Sequence, residues 1–410
     1  MTTFSPAVRR AIAPAIVGAG LFAVACALPG IGLLQGGQAA DVALYQQYGD
    51  QLLDGRIPYR DYFVEYPPGA LLAFVLPSLG PAAHYTTLFQ LLMALCGAVA
   101  IAALALVLAL TSTSRARLWG GTAFAALAPL VLGRTILDRF DLWPTALLLV
   151  ALAAIGIGAV RLAFGALALG ACAKVFPVAL LPPFVSWTRQ NRSGEKRRGL
   201  VTFAIVAAAV VLPFLLLGPG GVRFSAKVAT IRPTQVESLG GSIAFAGDRL
   251  GVLDVRTGTE YGSQNVYGHG VGLVSLASLA ALLAAVIACW VTFACGERDL
   301  ARLGAATLAT TAAFVAFGKV LSPQYLIWLI FLAPLARGRY AAPACATLLC
   351  ALASTRYWFP SRYSEVANLQ SEGWVVLVRN ALLVALFALA YASLRHGGAQ
   401  MTKSPTAERR

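Results

Sequence analysis

The chain has 410 residues, 59% of them hydrophobic and 12% charged, with a mean hydropathy of +0.74 and a net charge of +15. About a quarter of the residues of a soluble domain are charged, so a soluble globular enzyme is excluded and no sizeable water-soluble domain is left over. The positive charge does not imply nucleic acid. The bases cluster in short loops between apolar stretches, as the orientation rule for membrane proteins requires, and no basic-aromatic stripe accompanies them.

Lipid offers the backbone no partner, so a spanning segment is a helix of roughly 20 apolar residues. The apolar pattern predicts an all-α polytopic membrane bundle of about 12 transmembrane spans. They lie at 11–34, 86–110, 118–133, 142–160, 162–173, 175–187, 200–217, 270–295, 303–319, 324–336, 341–354 and 374–394, with both termini inside. One domain covers 1–395, and 396–410 forms a polar cytoplasmic tail. Arg9 and Arg10 precede the first apolar run as in a signal peptide, but the length of that run and the spans after it make it an uncleaved first span. Residues 162–187 are a broken pair turning at Lys174, with Pro177, Pro182 and Pro183 beyond. One continuous helix would place the five bases of 188–199 outside. Residues 303–336 exceed one span and turn at Ser322-Pro323-Gln324. The run 70–79, between Pro68 and Pro77, is too short to cross and is placed in the outer interface, within the first outer loop.

In this layout the inner loops hold 18 of the 32 Lys and Arg but only 4 of the 17 Asp and Glu. The outer side therefore carries nearly all the acids, on long loops at 35–85, 219–269 and 355–373, and chemistry is expected there. No internal repeat is evident, which weighs against transporter folds built from related halves. The cysteines show neither zinc spacing nor a disulfide framework, and no P-loop, dinucleotide or Gly-x-Ser-x-Gly motif occurs. Among the three histidines, only His269 is a pocket candidate.

The first outer segment begins at Asp41, just past the first span. A partly desolvated carboxylate there suits a general base, while capping a helix that starts near Val42 explains it equally well. Glu65-Tyr66-Pro67-Pro68-Gly69 forms a rigid turn that would hold Glu65 and Tyr66 in place. Arg134, Asp138 and Asp141 share a helical face by spacing, with Arg139 among them. This is either internal salt bridging or an anion site oriented by aspartates. Lys174 sits in an apolar run at a helix break, where it either snorkels or holds a phosphate. Lys319 is a lone base at the outer end of a span. Arg379 lies inside the last span and should face protein.

Taken in order, Asp41, Gly55-Arg56-Ile57-Pro58-Tyr59-Arg60-Asp61, Glu65-Tyr66-Pro67-Pro68, Arg139-Phe140-Asp141-Leu142-Trp143-Pro144, Lys174-Val175-Phe176-Pro177 and Ser322-Pro323-Gln324-Tyr325 resemble glycosyltransferase family 87. The resemblance implies a GT-C-type membrane enzyme with outer loops around a cavity and a polyprenyl-phosphate sugar donor, mannose first. Its acceptor would be a glycolipid or polysaccharide, and its base the first-loop aspartate, Asp41. Lys174, Arg134 and Lys319 are nominated for the donor phosphate on charge and position. Glu65, Tyr66, Asp138, Arg139, Asp141 and Gln324 complete the expected substrate-binding set. No metal or other cofactor is required for a donor with one phosphate. The rival readings are a lipid-linked-sugar flippase or transporter, and a ligase for which the bases of 219–269 would speak.

Overall fold

The computed structural model describes residues 5–28, 41–188 and 194–396. Residues 29–34 of the first expected span, part of the basic loop at 188–199 and nearly all of the expected tail at 396–410 lie outside the described residues.

Helix α1 (Pro6–Ala27) starts as its sequence dictates, with Pro6 in the first turn and the Ser5 side chain accepting from the Val8 amide at 3.4 Å. Helix α2 (Asp41–Leu53) and the short α3 (Leu71–Ser78) follow. In α3, Ala70 at the cap, Leu71, Ala73 and Phe74 are buried against α2, while Leu72 and Leu76 are exposed. The expected interfacial run is therefore a short helix held on protein. Helix α4 (Tyr85–Thr111) packs along α1. There Gly97 lets the Phe22 ring approach so closely that a Cβ would stand 2.2 Å from it.

The span expected at 118–133 is two pieces, α5 (Arg115–Leu127) and α6 (Pro129–Leu132), because Pro129 has no N–H with which to continue the ladder. One turn, α7 (Thr135–Asp138), leads into α8 (Leu142–Gly156) and α9 (Val160–Ala173). Lys174 is extended (φ −150°, ψ 141°), and the chain resumes as a 3-10 turn and α10 (Leu181–Thr188), so the expected break is present. Then come α11 (Glu195–Leu217), α12 (Pro219–Ile231) and α13 (Leu239–Arg249). An antiparallel hairpin of β1 (Val255–Glu260) and β2 (Ser263–Gly268) interrupts the helices, which the all-α expectation did not include. The chain closes with α14 (Val271–Ala294), α15 (Leu300–Phe317), α16 (Leu326–Leu332), α17 (Ala341–Trp358), α18 (Tyr363–Ala367) and α19 (Gly373–Arg395).

Where they are described, the expected apolar stretches are mainly helical, and among the described residues six helices are long and apolar enough to cross a membrane: α1, α4, α11, α14, α15 and α19. Their burial differs sharply. The apolar window of α15 is 78% buried and that of α11 0%. An apolar helix with no buried window has to meet lipid, whereas α15 forms the centre of the bundle. One continuous core runs from α1 through α4, α8 and α15 to α19. At one end of that core, the break at Lys174, the segment after α15 and the turn before α8 converge on a cavity.

Candidate active site

The cavity has a volume of about 450 Å³. Six of the nominated residues line it: Asp41, Glu65, Tyr66, Arg139, Lys174 and Gln324. They come from five separate stretches of chain, and each is delivered by a local feature. The Pro67-Pro68 corner is seated by Gly69, where a Cβ would lie 2.6 Å from the Cys172 carbonyl carbon and 2.7 Å from the Ala173 amide nitrogen. The corner that carries Glu65 and Tyr66 thus rests directly on the backbone that ends at Lys174.

Lys174 does not snorkel. Its Nζ lies 2.8 Å from Asp141 Oδ1, and the rings of Phe140, Tyr325 and Trp328 surround it at 4.5, 5.1 and 5.5 Å. Asp141 is fully buried and also accepts from Trp328 Nε1 at 2.8 Å. It stands behind the cavity wall and orients the lysine. Gln324 accepts from the Ser322 hydroxyl at 2.6 Å, and the Tyr325 ring stacks on Trp328 at 4.4 Å.

Arg139 reaches the cavity because the chain is not helical there. The single turn α7 ends at Asp138, Arg139 is extended (φ −124°, ψ 141°), and α8 restarts at Leu142. The shared face expected for Arg134, Asp138 and Asp141 is therefore broken. Arg134 does not line the cavity, and Asp138 accepts from Gln90 Nε2 at 2.8 Å. Arg139 forms an ion pair with Asp41. In the described residues helix α2 runs from Asp41, in line with the expected start near Val42, so the carboxylate lies in the first turn, where the helix dipole favours it, and faces a guanidinium as well. Desolvation pushes the Arg139 guanidinium below its ordinary value, opposed by the charges of Asp141 and Glu237. Lys319 is also outside the lining. Its ammonium donates to the Thr230 carbonyl at 2.6 Å, and its own carbonyl accepts from the Gln235 amide at 2.9 Å. It braces the segment that carries the next group of residues.

Those residues were not singled out by sequence: Arg232, Gln235, Glu237 and Tyr363 all line the cavity. Arg232 had signified only as one of several bases in a long loop. Its Nη2 donates to Glu65 at 2.5 Å and to the Tyr261 carbonyl at 2.6 Å, tying the proline corner to the tip of the hairpin. Gly262 and Ser263 at that tip border the cavity. Glu237 is 2% exposed, and burial pushes its carboxyl up to about 7, against the opposing influence of Arg379, Tyr363, Arg139 and Gln235. The available signal was slight: Glu237 is the only acid between Glu195 and Asp248. His269 does not line the cavity. Among the described residues, no three His, Cys, Asp or Glu side chains are grouped to hold a metal ion.

Three cations, Arg139, Lys174 and Arg232, are thus held by carboxylates around one hollow beside aromatic faces. Such a set can bind a phosphate, present a carboxylate to a hydroxyl, and stack a ring. The profile of glycosyltransferase family 87 matches residues 63–323, more than half of the chain. The match takes in Glu65, Tyr66, Arg139, Asp141, Lys174, Arg232 and Glu237. It starts after Asp41 and stops one residue before Gln324. Comparison with curated proteins brings no match. The chain is a member of glycosyltransferase family 87, a membrane glycosyltransferase.

Proposed function

We propose that the chain moves a single sugar, mannose first among the candidates, from a polyprenyl-phosphate donor to a hydroxyl of a glycolipid or polysaccharide. The reaction takes place at the outer face of the plasma membrane, in a GT-C-type bundle whose shorter broken helices complete about 12 crossings. The observation that carries this reading is the cavity itself, where three paired cations and their carboxylates meet an aromatic wall next to a broken apolar helix. A polyprenyl chain stays in lipid while its phosphate reaches such a hollow.

The reaction is one displacement. Asp41 accepts the proton of the acceptor hydroxyl, the hydroxyl oxygen bonds to the anomeric carbon, and the bond from that carbon to the phosphate oxygen breaks. Configuration inverts, so a β-linked donor yields an α-linked product. The leaving polyprenyl phosphate takes up negative charge, which Arg139, Lys174 and Arg232 stabilise. Arg139 and Arg232 replace Arg134 and Lys319 in this role, because they line the cavity. As the phosphate draws on Arg139, the Asp41 carboxylate is released towards the acceptor.

The test is transfer from labelled polyprenyl-phosphate-mannose into membrane lipids and glycans, with wild type beside Asp41→Asn. Removing a general base lowers the rate about 10²- to 10⁴-fold, with donor binding retained. Equal transfer by both variants sinks the role of Asp41. A wild type that transfers nothing but carries the intact lipid-linked sugar across vesicles is a flippase instead.

A further inference from the structure

Four acids meet at the cavity or its wall, and three are matched to a cation: Asp41 to Arg139, Asp141 to Lys174 and Glu65 to Arg232. Glu237 stands apart. Among the described residues it makes no ion pair within 4.0 Å. Its Oε1 accepts from Gln235 Nε2 at 3.2 Å, while its Oε2 is buried without a partner in full hydrogen-bond geometry, the Tyr363 hydroxyl standing close enough to the carboxyl to favour its charged form. A buried carboxylate oxygen left unmatched is costly, and native proteins rarely keep one without a use.

The position of this carboxylate is fixed with unusual care. Arg379 Nη2 and Asn380 Nδ2, both from α19, donate to the Glu237 main-chain carbonyl at 2.8 and 3.1 Å. The Arg379 guanidinium is fully buried and lies over the Trp358 ring at 5.5 Å. On either side, the Val236 amide donates to the Gln264 carbonyl at 3.0 Å, and the Ser238 side chain accepts from the Gly241 amide at 3.0 Å to cap α13. A charge inside an apolar helix is expensive and marks a constraint. Here the constraint is the placement of one residue that projects into the hollow beside Tyr363 and Arg139.

We infer that Glu237 reads one hydroxyl of a sugar ring in the cavity, its Oε2 accepting that hydroxyl's hydrogen bond, an inference that rests on the sugar transfer proposed above. A sugar hydroxyl supplies the well-aligned donor that Oε2 lacks beside Tyr363, and it does so without adding charge to the site. A site built around a hydroxyl discriminates strongly, because an analogue without it leaves the buried group unmatched. Glu237 is thus a specificity residue, distinct from the base and from the phosphate-binding cations.

The test uses the full chain in detergent, as wild type, Glu237→Gln and Glu237→Asp, with a short-chain polyprenyl-phosphate-mannose and each of its monodeoxy forms. With wild type, one monodeoxy donor is expected to lose roughly a hundredfold or more in kcat/KM. Glu237→Gln is expected to lose about ten- to a hundredfold on the intact donor, mostly through KM, the size of a hydrogen bond to a charged group. It should also lose most of the penalty for that one deoxy position. Glu237→Asp, which keeps the charge at shorter reach, should fall between them, and it carries the comparison if Glu237→Gln fails to fold. If the penalty relieved belongs to a deoxy acceptor instead, the hydroxyl read is the acceptor's. Undiminished penalties on both substrates in Glu237→Gln, or in Glu237→Asp where that variant carries the comparison, overturn the inference while leaving the transfer reading intact. Should wild type transfer nothing, the transfer reading falls, and equilibrium binding of the same donors to the same variants decides Glu237 alone.

Discussion

Arginine and lysine do two different jobs at the two ends of this bundle. At the end where α15 begins, apart from the ion pair of Arg337 with Asp299 at 3.6 Å, they close helices. Arg117 donates to the Ala336 carbonyl at 2.7 Å, Arg302 to the carbonyls of Thr292 at 2.7 Å and Leu394 at 3.3 Å, and Arg10 to that of Ser112 at 3.1 Å. These contacts answer the unsatisfied carbonyls and the negative end of the helix dipole. At the end where α15 finishes, Arg139, Lys174 and Arg232 are answered by carboxylates around open space, whereas Lys319 and Arg379 beside them hold carbonyls. Carbonyl-capping arginines carry no chemistry with them, whereas cations held by acids beside a hollow can change partners. Charge alone does not mark a site. The identity of its partner does.

The largest contrast is expected at Lys174. Lys174→Ala leaves the fully buried Asp141 with Trp328 as its donor but no cation, which costs about 3–5 kcal/mol. The melting temperature in detergent should fall and transfer should vanish. Adding Asp141→Asn should return much of the stability and none of the transfer. If transfer returns as well, Lys174 is structural and the comparison between the two ends fails.

Next in size is an acid limb in the pH profile. Glu237 binds its proton near pH 7 instead of in the ordinary carboxylate range, so the accepting form is lost as pH falls through about 7. The groups facing it are Arg139, Arg379, Tyr363 and Gln235. Below that point kcat/KM should fall, by about ten- to a hundredfold in all, the loss expected of Glu237→Gln, and Glu237→Gln should flatten this limb. A limb unchanged in that variant assigns it to another acid.

Gly69→Ala should cost about 1–3 kcal/mol through overpacking, and should slow transfer because the same contact places Lys174. Gly20→Ala, on an exposed part of α1 with nothing within 4 Å of its Cβ position, is the control and should be neutral or slightly stabilising. The smallest effect belongs to the capping end. Arg117→Ala should cost about 1 kcal/mol, the net value of one hydrogen bond, with transfer per folded molecule unchanged. Loss of specific activity there would show that the two ends are coupled.

Much of this was legible in the sequence, for identifiable reasons. Apolar length and the lipid's demand on the backbone gave the helices, and the charge asymmetry of the loops required a break at Lys174, where the chain is extended. Tyr66, Glu65 and Lys174 could be foreseen because prolines and a lone buried charge leave local marks. Arg134 was nominated for the phosphate on charge and position, and the face it was expected to share with Asp138 and Asp141 assumed a helix through a segment that is one turn followed by extended chain. The hairpin was missed because Val255–Glu260 alternates weakly and lies in a polar loop. Glu237 left almost no local mark. Its significance comes from Arg379, Tyr363 and Arg139, which are distant in sequence and meet only in the fold.

The paired cavity has one more consequence. A site whose cations already hold carboxylates carries its own counterions, so an incoming anion is not simply added. It has to take the place of one that is there. Such an exchange rejects weak or single-handed anions, since a ligand that cannot outcompete a tethered carboxylate gains nothing by entering. It also runs in reverse. In the proposed transfer, once a phosphate is spent the displaced carboxylates stand next to their old partners and compete for them again, so the residues proposed to admit the donor would also help to expel what remains of it.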